Sequence, residues 1–176
     1  MPELISVVGG ESTGKSVLAA ALGTRLPALV VGEYLRSWVD ERGRVPLRTE
    51  QAEVMAAQRD CEVSALRHVA SAGGSWVVSD SGPLMTAVYS IQYYDDDSLL
   101  PRAVEWTAQS SRVVWCQDDF PWQPDPQRDG SHARAKSQEI LTKIFADYPE
   151  LPMLAVRGSI DDRAQTVTES LPLRGH

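Results

Sequence analysis

The sequence predicts a three-layer α/β domain in which helices cover both faces of a parallel sheet, and three observations carry that reading. Five short apolar runs recur along the 176 residues, and the first of them ends in glycines, as buried parallel strands do. Segments with helical spacing separate these runs, which implies successive β-α-β units. No internal repeat, low-complexity tract or linker divides the chain, so residues 1–176 are expected to form one domain.

In chain order, the first strand is Leu4–Val8. A helix from Lys15 to about Leu26 follows, with Val17, Leu18, Ala21 and Leu22 as its apolar stripe and Pro27 as its stop. Ala28–Gly32 is the second apolar run, and Glu33–Arg42 after it is a polar segment. A long helix is predicted from Thr49 to about Ala72, with Val54, Ala57, Cys61, Ala65 and Val69 on one face and Gly73-Gly74 ending it. Trp76–Asp80 is the third strand and closes on a carboxylate. Helical patterns cover Pro83–Tyr93 and Ser98–Ser110, and Arg112–Gln117 is the fourth strand. The prolines of Asp118–Gly130 predict a loop. A helix over His132–Tyr148 presents Leu141, Ile144, Phe145 and Tyr148, and Met153–Val156 is the fifth strand. The last helix begins at a Ser159-x-x-Asp162 cap and is predicted to bury Ile160, Ala164, Val167 and Leu171.

Composition narrows the function. A net charge of −7 repels bare nucleic-acid backbone and anionic lipid, so no nucleic-acid or membrane partner is expected. No apolar run reaches the length of a membrane span, and the N-terminus lacks a signal-peptide pattern. Cys61 and Cys116 have neither C-x-x-C nor metal-ligand spacing and read as free thiols, which with the other features predicts a cytoplasmic protein.

The segment Gly9-Gly10-Glu11-Ser12-Thr13-Gly14-Lys15-Ser16 fits G-x-x-x-x-G-K-[ST], the phosphate-binding P-loop, and it stands where that motif requires, between a strand and a helix. Its glycines let successive amides turn inward onto phosphate oxygens, and the helix adds its positive end. Lys15 offers an ammonium to the β- and γ-phosphates of ATP, and the Ser16 hydroxyl is a Mg²⁺ ligand. Only Lys136 and Lys143 accompany Lys15 as lysines. Residues Gly10 to Val17 are therefore assigned to the nucleotide.

Asp80, at the strand end beside this loop, can hold Mg²⁺ through water or orient an attacking hydroxyl; alone, it would read as a helix cap. Glu33 follows the second strand and can accept the proton of a substrate hydroxyl or bond a ribose diol, or it can simply favour a helix dipole. Arg36 serves a phosphoryl group or pairs with a neighbouring acid. A closing element is expected over about 118–136, with Arg128 as first choice for its cation and Arg134 as second. Tyr34, Trp38, Tyr93 and Trp122 are candidates for stacking on a flat heteroaromatic ring. Asp95-Asp96-Asp97, followed by Ser98, reads as a solvated turn and not as a metal site.

Together these residues resemble the ribosylnicotinamide kinase domain of the bacterial NAD-biosynthesis regulator (NadR-like) family. The resemblance lies in the P-loop, Glu33-Tyr34-x-Arg36, Asp80, Ile91-Gln92-Tyr93 and Trp122-x-x-Asp125-x-x-Arg128, and it runs in order from Leu4 to about Leu171. It implies a P-loop kinase fold with a five-stranded parallel sheet in order 2-3-1-4-5 and a mobile lid. It further implies Mg·ATP-dependent phosphorylation of the 5′-hydroxyl of nicotinamide riboside. By position, Lys15 and Ser16 would serve ATP and Mg²⁺, Glu33 and Asp80 would face the nucleoside, and Arg128 would belong to the lid. The lid departs from the family's Asp-Gly-x-Arg, reading Asp125-Pro126-Gln127-Arg128. The rival readings are a kinase for another nucleoside or small alcohol, and an ATP-dependent regulatory module with no acceptor; a monomer or a homodimer fits all of them.

Lys15→Ala is expected to lower turnover by a few orders of magnitude while leaving the fold intact. ADP release and circular dichroism on the same sample check this; near-native turnover would remove the P-loop assignment.

Overall fold

All five apolar runs form strands, because aliphatic and β-branched side chains fill the pleated surface between two helical layers. β1 (Glu3–Val8), β2 (Leu29–Val31), β3 (Trp76–Asp80), β4 (Arg112–Cys116) and β5 (Met153–Val156) pair in parallel in the order β2-β3-β1-β4-β5. The computed structural model describes residues 1–121 and 131–172. The helices are α1 (Lys15–Arg25), α2 (Tyr34–Arg42), α3 (Gln51–Ser71), α4 (Gly82–Tyr94), α5 (Leu100–Thr107), α6 (Ser131–Asp147) and α7 (Ile160–Ser170), with a 3₁₀ turn at Arg48–Glu50.

Alternation along β1 sorts the core into layers. Ile5 and Val7 join Leu18, Leu22, Val114 and Val167 under α1 and α7. Val8 lies on the opposite face with Leu84, Met85, Leu141 and Ile144 under α4 and α6, and Leu4 packs with Val31, Ala65 and Val69 beneath α3. Val7 is in register with Asp80, and Val8 with Trp115. Because all pairings are parallel, the carboxyl ends of the strands share one edge, and β1 lies where the strand order reverses.

Several local signals act as the sequence implied. Ser159 and Asp162 cap α7 reciprocally, the Asp162 amide donating to Ser159 Oγ at 3.1 Å and the Ser159 amide to Asp162 Oδ2 at 3.0 Å. At the end of α3, Gly73 takes φ 71°, and the Gly74 and Gly73 amides donate to the carbonyls of Val69 and Ala70, a Schellman stop.

Other expectations need correction. Glu33–Arg42, read only as polar, contains helix α2; its one buried side chain is Trp38, with the Arg42 guanidinium 3.5 Å from the ring centroid. A single anchor leaves no periodic stripe to see. Trp38 is consequently a core residue and does not line a ligand cleft. Val17 is 60% exposed, and Ala19 takes its place beside Leu18 and Leu22. On α3 Cys61 is exposed and Ala57 half-buried, while Gln51, Gln58 and Glu62 turn inward. Ile160 at the start of α7 is also only half-buried. The edge position of β2 leaves Leu29 and Val30 partly exposed.

The polar residues of α3 have partners that explain their burial. Gln58 Oε1 accepts from the Tyr34 amide at 2.7 Å, and its Nε2 donates to the Gly32 carbonyl, tying α3 to the end of β2. Glu62, 1% exposed, accepts from Ser79 Oγ at 2.7 Å and from Arg59 at 3.1 Å. Burial pushes its carboxyl above the usual carboxylate range, against the pull of those two bonds. A folded pKa raised in this way leaves stability untouched below the unfolded value and lowers it as pH climbs through the folded one. Glu62→Gln removes that slope, so the variant should gain stability relative to the native protein as pH rises above about 4, the ordinary glutamate value. Urea midpoints across the range test this, and a difference independent of pH would contradict it.

Candidate nucleotide and acceptor site

The turn after β1 requires backbone that only glycine adopts without strain. Gly14 sits at φ 84° as the N-cap of α1, and a Cβ there would lie 2.8 Å from a ring carbon of Phe120. At Gly10 the obstacle is spatial, since a Cβ would lie 2.7 Å from the Arg134 carbonyl oxygen. The loop therefore curls tightly enough for its own side chains to close it. Thr13 Oγ1 and Lys15 Nζ both donate to the Gly10 carbonyl, at 2.8 and 2.9 Å, and Lys15 is only 9% exposed.

Next to the ammonium, Ser16 Oγ donates to Asp80 Oδ2 at 2.6 Å, and Asp80 is 6% exposed. The parallel register of β3 with β1 brings this carboxylate to the loop. Ser81 and Gly82 then take positive φ, turning the chain into α4 directly above the sheet. Hydroxyl and carboxylate together form an oxygen donor pair suited to Mg²⁺, which is held by one or two carboxylates plus substrate phosphates. Among the described residues no group of three or more His, Cys, Asp or Glu is arranged for a metal.

Two clefts flank the loop. The narrower, of about 320 Å³, is lined by Ser12 to Val17 with Phe120, Pro121 and Ile160. The wider, of about 650 Å³, is lined by Glu11, Glu33, Arg36, Tyr89 and Tyr93 among others. Lys15 borders both. Glu33 lies at the mouth of α2, paired with Arg36 at 3.0 Å, so both readings of Arg36, ligand contact and ion pair, converge on one cleft.

The sequence-assigned residues thus separate. Ser12, Thr13, Gly14, Ser16 and Val17 border the narrower cleft, whereas Glu11, expected with the nucleotide, borders the wider one. Tyr93 borders the wider cleft and is 45% exposed. Tyr34 is not part of that lining; Leu35 and Arg36 are. Arg134 donates to the Phe120 carbonyl at 2.8 Å, and its backbone lies against Gly10. Trp122, Asp125 and Arg128 lie outside the described residues. The acidic run is a turn: the Ser98 hydroxyl, then Arg48 and the Ser98 amide, bond to Asp96 and lower its pKa to about 2.

Two participants escaped the sequence reading. Tyr89, in the middle of an apolar stretch of α4, borders the wider cleft; burial and then the nearby Glu33 and Glu11 carboxylates push its phenol well above the ordinary value, so it remains a hydrogen-bond donor. Arg163, a charged residue on α7 to which the sequence assigned nothing, is fully buried. It donates to the carbonyls of Gly158 at 3.0 Å, Thr13 at 2.8 Å and Gln117 at 3.2 Å, it pairs with Asp119, and its guanidinium lies 4.2 Å from the Phe120 ring centroid. Burial alone would raise Asp119, but the Gly158 amide and the Arg163 charge outweigh it and hold that carboxyl below its usual range. Cys116, behind the loop, is pushed up to about 11 by burial and is an inert thiol at neutral pH.

Fold and loop define this protein as a P-loop α/β domain, and its fold is that of solved nucleoside and nucleotide kinase structures. The family model described as AAA domain matches residues 4–163, and the chain belongs to that family. Among solved structures it resembles a NadR protein in complex with nicotinamide riboside (NR), with TM-score 0.76, 19% identity, and coverage of 98% of this chain and 52% of that one. A NadR complex with NAD and AMP-PNP gives TM-score 0.75 at 18% identity, covering 99% of this chain and 51% of that one. The chain therefore spans about half the length of those proteins. A thymidylate kinase from Ehrlichia chaffeensis gives TM-score 0.70 at 13% identity, covering 96% of this chain and 97% of that one. No curated protein matches the sequence. The fold implied by the resemblance to the NadR-like family, including its strand order, is the fold observed.

Arg163→Met strands three carbonyls and Asp119, and is expected to cost about 2–3 kcal/mol of stability. A urea midpoint at unchanged m value measures the loss; a change below about 0.5 kcal/mol, typical of surface sites, would show that Arg163 does not brace the loop.

Proposed function

We propose that the protein is an ATP-dependent kinase that phosphorylates the 5′-hydroxyl of nicotinamide riboside, giving nicotinamide mononucleotide. The observation that carries this reading is the position of Lys15, which borders both clefts. A donor phosphate gripped by the loop then faces an acceptor in the wider cleft. In support, a structure of similar fold was solved with NR and another with AMP-PNP.

In the reaction, the 5′-oxygen bonds to the γ-phosphorus as the bond from that phosphorus to the β–γ bridging oxygen breaks, and ADP departs. Lys15 moves from the Gly10 carbonyl to the phosphates, neutralising charge that spreads over them. Ser16 and Asp80 would hold Mg²⁺, which when bound neutralises phosphate charge. Glu33, on the acceptor side, orients the hydroxyl and receives its proton, with Asp80 as the other candidate; Arg36 and Tyr93, which line that cleft, are assigned to the nucleoside, and Trp122 and Asp125 are assigned to it from the sequence alone. Arg128, in a lid over about 118–136, supplies a closing cation, with Arg134 behind it. We place this reaction in the cytoplasm.

The deciding experiment follows ADP release from Mg·ATP with nicotinamide riboside, deoxyadenosine, thymidine or no acceptor. Nicotinamide riboside should stimulate release by at least about tenfold, since a positioned acceptor replaces random encounter with solvent. Stimulation by another nucleoside alone would keep the kinase and discard the substrate. Release indifferent to every acceptor would favour a regulatory ATPase.

A further inference from the structure

We propose that Gln138, on α6, is a positioning residue for the phosphate loop, fixing Gly10, and through it Lys15, from outside the motif. The proposal rests on the nucleotide-binding part of the reading above, and it concerns how the loop is held ready before phosphate arrives.

Gln138 is 9% exposed, and both ends of its amide are engaged. Its Oε1 accepts from the Gly10 amide at 3.1 Å and from Trp115 Nε1 at 3.0 Å, while Nε2 donates to the Cys116 carbonyl at 3.0 Å. Two donors on one side and a carbonyl on the other allow a single orientation of the amide. The Gly10 peptide is thus held at both ends: its amide by Gln138, its carbonyl by Thr13 and Lys15. No other residue type fits there, because the backbone of Arg134, one turn earlier on α6, closes over it.

The same stretch of α6 reaches both clefts. Arg134 grips the carbonyl of Phe120 in the narrower one. Ser137 Oγ donates at 2.6 Å to Gln92, which lies on α4 beside Tyr89 and Tyr93 of the wider one. Gln138 takes the loop between them. A glycine-rich turn has much conformational freedom to lose, and fixing it in advance lowers the cost of ligand binding. Gln138 touches neither reactant in this arrangement. Its loss should weaken nucleotide affinity and slow turnover while leaving the acceptor KM near native.

The test measures Mg·AMP-PNP binding by calorimetry, thermal midpoints and both KM values for the native chain, Gln138→Met and Trp115→Phe. Gln138→Met should raise the AMP-PNP Kd by about tenfold or more, the weight of one buried hydrogen bond lost by the loop. Trp115→Phe removes the other donor to the same oxygen but keeps the Gly10 link, and should leave Kd within about threefold, under 1 kcal/mol. Gln138→Asn, whose shorter amide cannot reach both Gly10 and Cys116, gives the same comparison should Gln138→Met fail to fold. Native affinity in the Gln138 variants would overturn the proposal, as would equal losses in Trp115→Phe that follow the thermal midpoint. A native chain that binds no AMP-PNP would instead overturn the nucleotide-binding reading itself, before any variant is compared.

Discussion

Lys15 is almost withdrawn from water, and an ammonium so placed has to be hydrogen-bonded whether or not a ligand is present. The Gly10 carbonyl meets that need at 2.9 Å, only five residues back along the chain. Everything around the loop serves that short return. Gly14 supplies the backbone conformation, Gly10 has no side chain to obstruct α6, and Thr13 shares the carbonyl. A triphosphate offers the ammonium a stronger partner than a neutral carbonyl, because a bond between two ions exceeds one to a dipole.

A loop with this much glycine cannot hold its own shape, and the fold braces it from both sides. Arg163 reaches from α7 to the Thr13 carbonyl, and Gln138 reaches from α6 to the Gly10 amide. Both side chains are buried, and each also grips the end of β4, at the Gln117 or the Cys116 carbonyl. The loop is therefore referenced to β4, the strand beside β1. Buried polar groups carry a penalty when only partly satisfied, which explains why each brace has several partners. On the acceptor side the same logic recurs in Gln58, which ties the start of α2, and hence Glu33, to α3.

Fold and chemistry stand at different depths here. The fold is shared with proteins of different kinds, among them the NadR and thymidylate kinase structures. The scaffold sets the loop at the end of β1, and α2 and α4 line the wider cleft beside it. In the proposed reaction, substrate choice falls to side chains of that cleft, among them Glu33, Arg36, Tyr89 and Tyr93.

Strands and most helices were legible because burial on both faces imposes unbroken apolar runs and regular helical spacing, and the P-loop because its geometry tolerates so few residues. Gly73-Gly74 and Ser159-x-x-Asp162 were equally readable, being local backbone chemistry. Helix α2 was not, since one buried Trp38 makes no pattern, and the inward Gln58 and Glu62 broke the apolar stripe expected on α3. Arg163 and Gln138 drew no assignment from the sequence, because a polar side chain shows its burial only when its partners, 150 and 128 residues away in the chain, are in place. Glu11 and Val17 show the same limit inside the motif. The sequence by itself determined that a phosphate cradle forms at the end of β1, a property of adjacent residues. Which cleft each side chain faces, and what holds the cradle still, only the tertiary structure decided, since both depend on contacts between elements far apart along the chain.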